Sequence, residues 1–319
     1  MSLKINTERM TAAVLAVALH CCLLMGHVHA EDPPGAATAE TTFQPLEFTV
    51  ERQAVLEHDD GQFLWFHPRA VAVPRGESAN SDTRHSPQVW MTLQKHLRTS
   101  DHYSGLWLMK SDDLGKTWNG PTARPELDWV RESDSVDIAV ADVTPGWHPA
   151  TRKILAVGAQ IRYSREGAQL NDVPRAHQTA YAVVDPATGK CTKWKRLELP
   201  AGKLFEVARS ACAQFLVEPD GSVLLPFYIA EHPDQPHSVT VVRCRFDGTT
   251  LSYQAHGNVL RQDEVRGLVE PSLVKHKGRY WLTIRHDLKG YVTSSDDGLQ
   301  YTKPEPWRFD DGTELGSYN

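Results

Sequence analysis

From Phe48 onward the apolar positions come in short runs of β-branched and aromatic residues, broken by turn sequences every ten or so positions, with almost no helical periodicity. Runs of this length cannot form helices long enough to bury a face, so the pattern predicts an all-β chain. Four groups of roughly four strands can be marked. The first covers 68–74, 88–94, 105–110 and a return after Trp118; the second takes 136–143, 153–163, 179–185 and 192–199. The third takes 213–218, 222–229, 238–246 and 250–256, and the fourth 272–276, 279–286, 290–293 and a last strand after Gly298. Pro219-Asp220-Gly221-Ser222, Asp247-Gly248 and Lys277-Gly278 read as tight turns between them. Asp185-Pro-Ala-Thr-Gly189 has the composition of another.

Two turns share a further pattern. SDDLGKTW at 111–118 has Ser, then Asp at +2, Gly at +4, Thr at +6 and Trp at +7, between an apolar run and a Pro-containing exit. An Asp beside a Gly hydrogen-bonds the backbone of its own turn while the Gly takes positive φ, and the Trp folds back on an apolar face. SSDDGLQY at 294–301 repeats it, with Ser294, Asp296, Gly298 and Tyr301 at the same offsets. The copies lie about three 60-residue repeats apart, each between the third and fourth strands of its group. The pattern resembles the Asp-box of sialidase-type β-propellers, and the resemblance covers about 66–301. It implies a sialidase-like propeller, a fold of six blades, of which this chain covers about four; we therefore expect a fragment of the full ring, with a four-bladed ring as the alternative. The box itself holds a turn, so function has to be sought in other residues.

Composition narrows the setting. The 319 residues carry 34 basic and 40 acidic side chains and are 40% hydrophobic, a globular balance with no footprint for nucleic acid and no Lys/Arg run for an anionic membrane. Lys4 and Arg9 precede an apolar run at 11–26, and Val28-His29-Ala30 ends in a small residue ahead of Glu31-Asp32. That reads as a secretory signal peptide over 1–30, leaving no membrane span after cleavage and a secreted or periplasmic product. The Pro-, Ala- and Thr-rich stretch 31–44 reads as a linker to a domain at 45–319. Cys191, Cys212 and Cys244 then remain, an odd count on single strands that predicts small core residues and at most one bridge. Despite 15 histidines there is no HExxH and no His/Cys cluster at ligand spacing, so neither a catalytic metal nor a cofactor is expected.

Candidate chemistry falls at three places. Arg69 follows Phe66-His67-Pro68 just before the first apolar run; a guanidinium there can grip a carboxylate through two parallel hydrogen bonds. The sialidase resemblance implies that role for the first Arg, although its usual order, aromatic-Arg-apolar-Pro, would put His67 in the Arg slot. Asp101 stands on the loop ahead of the first box, where the resemblance implies the acid/base that protonates a glycosidic oxygen. Glu270 and Arg285 flank a hairpin closed by Lys277-Gly278, and counting outward from the turn they oppose one another, or miss by one if the turn is bulged. The resemblance implies that Glu270 activates a tyrosine nucleophile and that Arg285 is a second carboxylate-binding Arg. The nucleophile and a third Arg come later in sialidases; Tyr318 falls too soon to match. Each residue also has a structural reading: an ion pair for Arg69 or for Glu270 with Arg285, and turn formation for Asp101. The implied activity is a secreted exo-glycosidase acting on a glycan with a terminal acidic sugar, sialic acid first. The alternatives are a propeller glycosidase or lyase acting on another acidic sugar such as a uronic acid, and a non-catalytic glycan-binding propeller.

Overall fold

The computed structural model describes residues 47–75, 86–98, 101–170 and 178–316. The signal peptide and linker expected over 1–44, and Ser100 and Tyr318, lie outside these residues. The chain divides into two units, Met1–Gln53 and Ala54–Asn319. Residues 47–53 of the first are exposed and carry no regular secondary structure.

The second unit is all-β, as expected, in four consecutive antiparallel sheets arranged as propeller blades. Blade 1 is β1 (Leu64–Val73), β2 (Gln88–His96), β3 (Trp107–Ser111) and β4 (Asn119–Ala123), paired in chain order. Blade 2 is β5 (Val130–Ser133), β6 (Val136–His148), β7 (Lys153–Ser164), β8 (Thr179–Val184) and β9 (Lys195–Arg196). Blade 3 is β10 (Val207–Arg209), β11 (Leu216–Val217), β12 (Ser222–Ala230), β13 (Ser238–Phe246) and β14 (Leu251–His256). Blade 4 is β15 (Val269–His276), β16 (Arg279–Arg285), β17 (Tyr291–Ser295) and β18 (Glu305–Pro306). Sequence and structure part most at blade 3. Instead of one inner strand over 213–218, two short pieces, β10 and β11, both pair with β12 around an unpaired stretch at 210–215. The expected strand 192–199 also shrinks to the two residues of β9.

Alternating apolar positions on neighbouring blades close buried cores between each successive pair. Trp90 and Leu108 meet Val140 and Ala156 between blades 1 and 2; Leu155 and Tyr181 meet Phe227 and Val242 between blades 2 and 3; Leu224 and Val241 meet Leu273 and Leu282 between blades 3 and 4. Near the inner strands, polar stitches cross the same interfaces. Thr92 Oγ1 donates to the Val143 carbonyl and Gln94 Nε2 to that of Val140; Thr179 Oγ1 donates to the Ala208 carbonyl; the Leu273 amide donates to the Gln214 carbonyl. These bonds satisfy groups that the interblade cores remove from water.

Both boxes form turns, with one correction. In the first, Ser111 Oγ donates to Asp113 and accepts from the Gly115 amide, while Asp113 accepts from the Thr117 amide. In the second the working pair is Ser295 and Asp297, one residue later than the offsets suggested: Ser295 Oγ donates to Asp297 at 2.9 Å and accepts from the Gly298 amide. Asp296 points outward, its side chain 90% exposed. The turn is one residue shorter here, because Asp297 accepts directly from the amides of Leu299 and Gln300. Asn258, just after β14, clasps this box from the neighbouring blade through both the carbonyl and the amide of Tyr301.

The register correction is testable. Ser295→Ala should cost about 1–2 kcal/mol of unfolding free energy, and Asp296→Asn less than about 0.5 kcal/mol, measured by urea denaturation. Hydrogen bonds from Thr117 and Ser111 lower the Asp113 carboxyl from 3.8 to about 2. A lowered carboxyl stabilises the fold above its unfolded value, and that contribution is lost as pH falls through the folded one. Acid melts between 3.8 and about 2 should therefore lose stability faster for the natural protein than for Asp113→Asn.

Candidate functional site

Strands β1, β6 and β15 each slip register once against the strand that follows them. In β1, Phe66 pairs with Gln94 and Arg69 with Thr92, so His67 and Pro68 share one partner position. In β6 the same slip falls at Asp142 and Val143, between Ala141↔Ala159 and Thr144↔Val157. In β15 it falls at Glu270 and Pro271, between Val269↔Arg285 and Ser272↔Thr283. Blade 3 has its break at 210–215. The first residue of each two-residue bulge, and Cys212 in blade 3, adopts left-handed backbone: φ is +50° at His67, +57° at Asp142, +54° at Cys212 and +48° at Glu270. Such bulges re-aim a side chain out of the alternating pattern of the strand. Gly158 faces the β6 bulge, where a Cβ would come within 2.6 Å of the Ala141 carbonyl oxygen.

All four re-aimed side chains line one cavity of about 440 Å³, together with Asp101 and Tyr103 from the loop after β2, Arg209 and Tyr228 from blade 3, and Arg266 and Arg285 from blade 4. Arg285 Nη1 donates to both Glu270 oxygens, at 3.0 and 2.9 Å. The two residues do meet, through a bulge beside Glu270 rather than at the turn: Lys277 and Gly278 both have positive φ, and His276 pairs with Arg279 as counted. Asp101 accepts a hydrogen bond from the Tyr103 hydroxyl at 3.2 Å, and its backbone carbonyl accepts one from Tyr163.

Arg69 departs from the expectation. It lines a separate cavity of about 590 Å³ with Thr144, Phe215, Gln214 and Ser272, and the two cavities share only Cys212. The β1 bulge presents His67 to the first cavity, and Arg69 lies two residues, about 6–7 Å, further along the strand. Three of the four residues singled out from the sequence, Asp101, Glu270 and Arg285, therefore share a cavity, and His67 stands where the fourth was expected.

Asp142, Cys212, Tyr103, Arg209, Tyr228 and Arg266 escaped the sequence reading. Asp142 had a signal, as a lone charge in the apolar run Val140-Ala-Asp-Val143. Cys212 needs a correction: all three cysteines are free thiols, but only Cys191 and Cys244 pack into the cores.

Charge and burial sort these groups. Burial works against ionisation of Asp142, yet contact with His67 and the Cys212 thiol, and the nearby positive charge of Arg69, hold its carboxyl below the usual range. Burial, then the charges of Asp142 and Asp101, push the Tyr103 hydroxyl far up; burial does the same at Tyr163, Tyr228 and Cys212. The tyrosines are thus neutral hydroxyls able to donate, set among carboxyl and guanidinium groups. Such a cavity can hold an anionic ligand and move a proton at Asp101.

The Glu270–Arg285 pair is about four-fifths buried on both sides, so removing one partner strands a charge. Glu270→Ala should destabilise by about 3 kcal/mol, and Glu270→Ala with Arg285→Leu by clearly less than the two single changes added together, in a double-mutant cycle followed by denaturation.

No family model and no curated protein matches the sequence. Among solved structures, the NanB sialidase from Streptococcus pneumoniae aligns with a TM-score of 0.55 at 11% identity, over 84% of this chain and 55% of its own. The Hadza microbial sialidase Hz136 gives 0.54 at 13% over 75% and 46%, and the Trypanosoma rangeli sialidase 0.51 at 17% over 80% and 41%. The chain spans about half the length of these proteins or less. At such identities the likeness is one of fold, and that fold is the sialidase-like β-propeller.

Proposed function

We propose that the 440 Å³ cavity is the sugar site of a propeller glycosidase that removes a terminal acidic sugar, sialic acid first among them, from a glycan. One observation carries the reading: carboxylates suited to acid/base work and guanidinium groups suited to a carboxylate line the same cavity, contributed by elements of all four blades. In this reading Asp101 protonates the departing glycosidic oxygen, and the Tyr103 hydroxyl steadies its carboxylate. Arg285, oriented by Glu270, binds the sugar carboxylate with help from Arg209 and Arg266. Glu270 is the base that activates a tyrosine in the sialidase scheme, which departs from the two-carboxylate retaining pattern. Arg69, in the neighbouring cavity, falls outside the carboxylate clamp. That displacement favours a second reading, in which the acidic sugar is a uronic acid whose carboxylate sits elsewhere on the ring.

Fluorogenic sialosides and uronides offered to the full-length protein separate the readings by which one is cleaved. Asp101→Asn should lower kcat about 100-fold or more, and Arg285→Ala should chiefly raise KM for the acidic sugar. Glycan binding unchanged by Asp101→Asn and Glu270→Gln, with no product from either substrate class, would leave a non-catalytic glycan-binding propeller. Export is part of the same proposal: mass spectrometry of the mature protein should find it beginning at Glu31.

A further inference from the structure

Three blades each deliver a different metal-binding atom to one point of the cavity. His67 Nδ1 from β1, a carboxylate oxygen of Asp142 from β6 and Cys212 Sγ from blade 3 all lie within 4.8 Å of one another. Two ligand atoms bound at about 2.0–2.3 Å to one tetrahedral ion are about 3.3–3.8 Å apart, so the trio needs only small shifts, a slight opening of the 3.0 Å His67–Asp142 contact among them, to share an ion. No sequence motif announces it, because the ligands sit on separate blades.

Within the trio both His67 and the Cys212 thiol approach the Asp142 carboxylate, but the His67 contact is poorly directed. His67 Nδ1 and Asp142 Oδ1 are 3.0 Å apart, yet neither buried atom has a hydrogen bond of acceptable direction. A cation between them would satisfy both lone pairs, which their mutual contact does not. Each ligand is also held in left-handed backbone at an inner-strand break, a costly conformation repeated at three unlike residues.

We propose that His67, Asp142 and Cys212 form a binding site for a single divalent transition-metal ion of the zinc class. Imidazole with thiolate selects zinc over calcium or magnesium, which prefer all-oxygen shells. The charges balance: one carboxylate and one thiolate neutralise a dication, and the imidazole binds as the neutral ring. On binding, the metal–sulfur bond replaces the S–H bond of Cys212 and the proton leaves to solvent. Glu270 is committed to Arg285, so the fourth position opens on the cavity, the arrangement of three protein ligands and one exchangeable oxygen. The site stands apart from the glycosidase reading and needs no sugar to be observed.

The test uses full-length protein stripped by a chelator, loaded with Zn²⁺ and desalted. It should retain about one zinc per chain and melt at a higher temperature than the stripped form. Cobalt in its place should show the near-ultraviolet absorption of a thiolate–metal bond, and this measurement needs no variant. Cys212→Ser and Asp142→Asn, checked for native circular dichroism, should each weaken zinc binding about tenfold or more, whereas His256→Gln on β14 should leave it unchanged. Zinc far below one per chain in the natural protein, retention untouched by Cys212→Ser, or cobalt bound without a thiolate band would each overturn the proposal.

Discussion

One backbone constraint organises the interior: each inner strand carries a break at which a residue with a Cβ takes positive φ, at His67, Asp142, Cys212 and Glu270. Left-handed backbone costs such residues about 1–3 kcal/mol apiece. In return, a side chain that strand alternation would send along the strand face turns into the cavity instead. The interblade cores and the stitches from Thr92, Gln94 and Thr179 hold the inner strands on either side of each break, so the strain is borne by packing the blades already have.

The electrostatics of the cavity follow from what those breaks deliver. Glu270 and Asp142 arrive with cationic or protic partners, Arg285 for one, His67 and Cys212 for the other. Around them burial keeps Tyr103, Tyr228 and Tyr163 as neutral phenols. Carboxyl groups beside hydroxyls that burial keeps protonated, with guanidinium groups at the wall, make the cavity polar and rich in hydrogen-bond donors. With Arg69 in the neighbouring cavity, the guanidinium groups that line this one, Arg209, Arg266 and Arg285, come from blade 3 onward rather than from blade 1.

The boxes play a separate part. They close hairpins between third and fourth strands, and the second is pinned to the preceding blade through Asn258. Their Asp, Ser and Gly residues spend their hydrogen bonds on their own turns. Turns of this kind belong to the scaffold and say nothing about what occupies the cavity.

The sequence by itself determined the all-β class, most strands of the four blades, both box turns and the meeting of Glu270 with Arg285. All of these rest on local pairing, alternation and turn chemistry, which act within a few dozen residues. It placed the second box one residue early, because SSDD offers two Ser–Asp pairs at the same spacing and only the shorter turn at Asp297 selects between them. The convergence of His67, Asp142 and Cys212 was decided by tertiary structure alone. Which side chain faces the cavity depends on where each inner strand loses register, and an irregularity of one residue leaves no mark in hydrophobic periodicity. For the same reason Cys212 reads as core and Arg69 as a cavity-wall residue until the breaks beside them are seen.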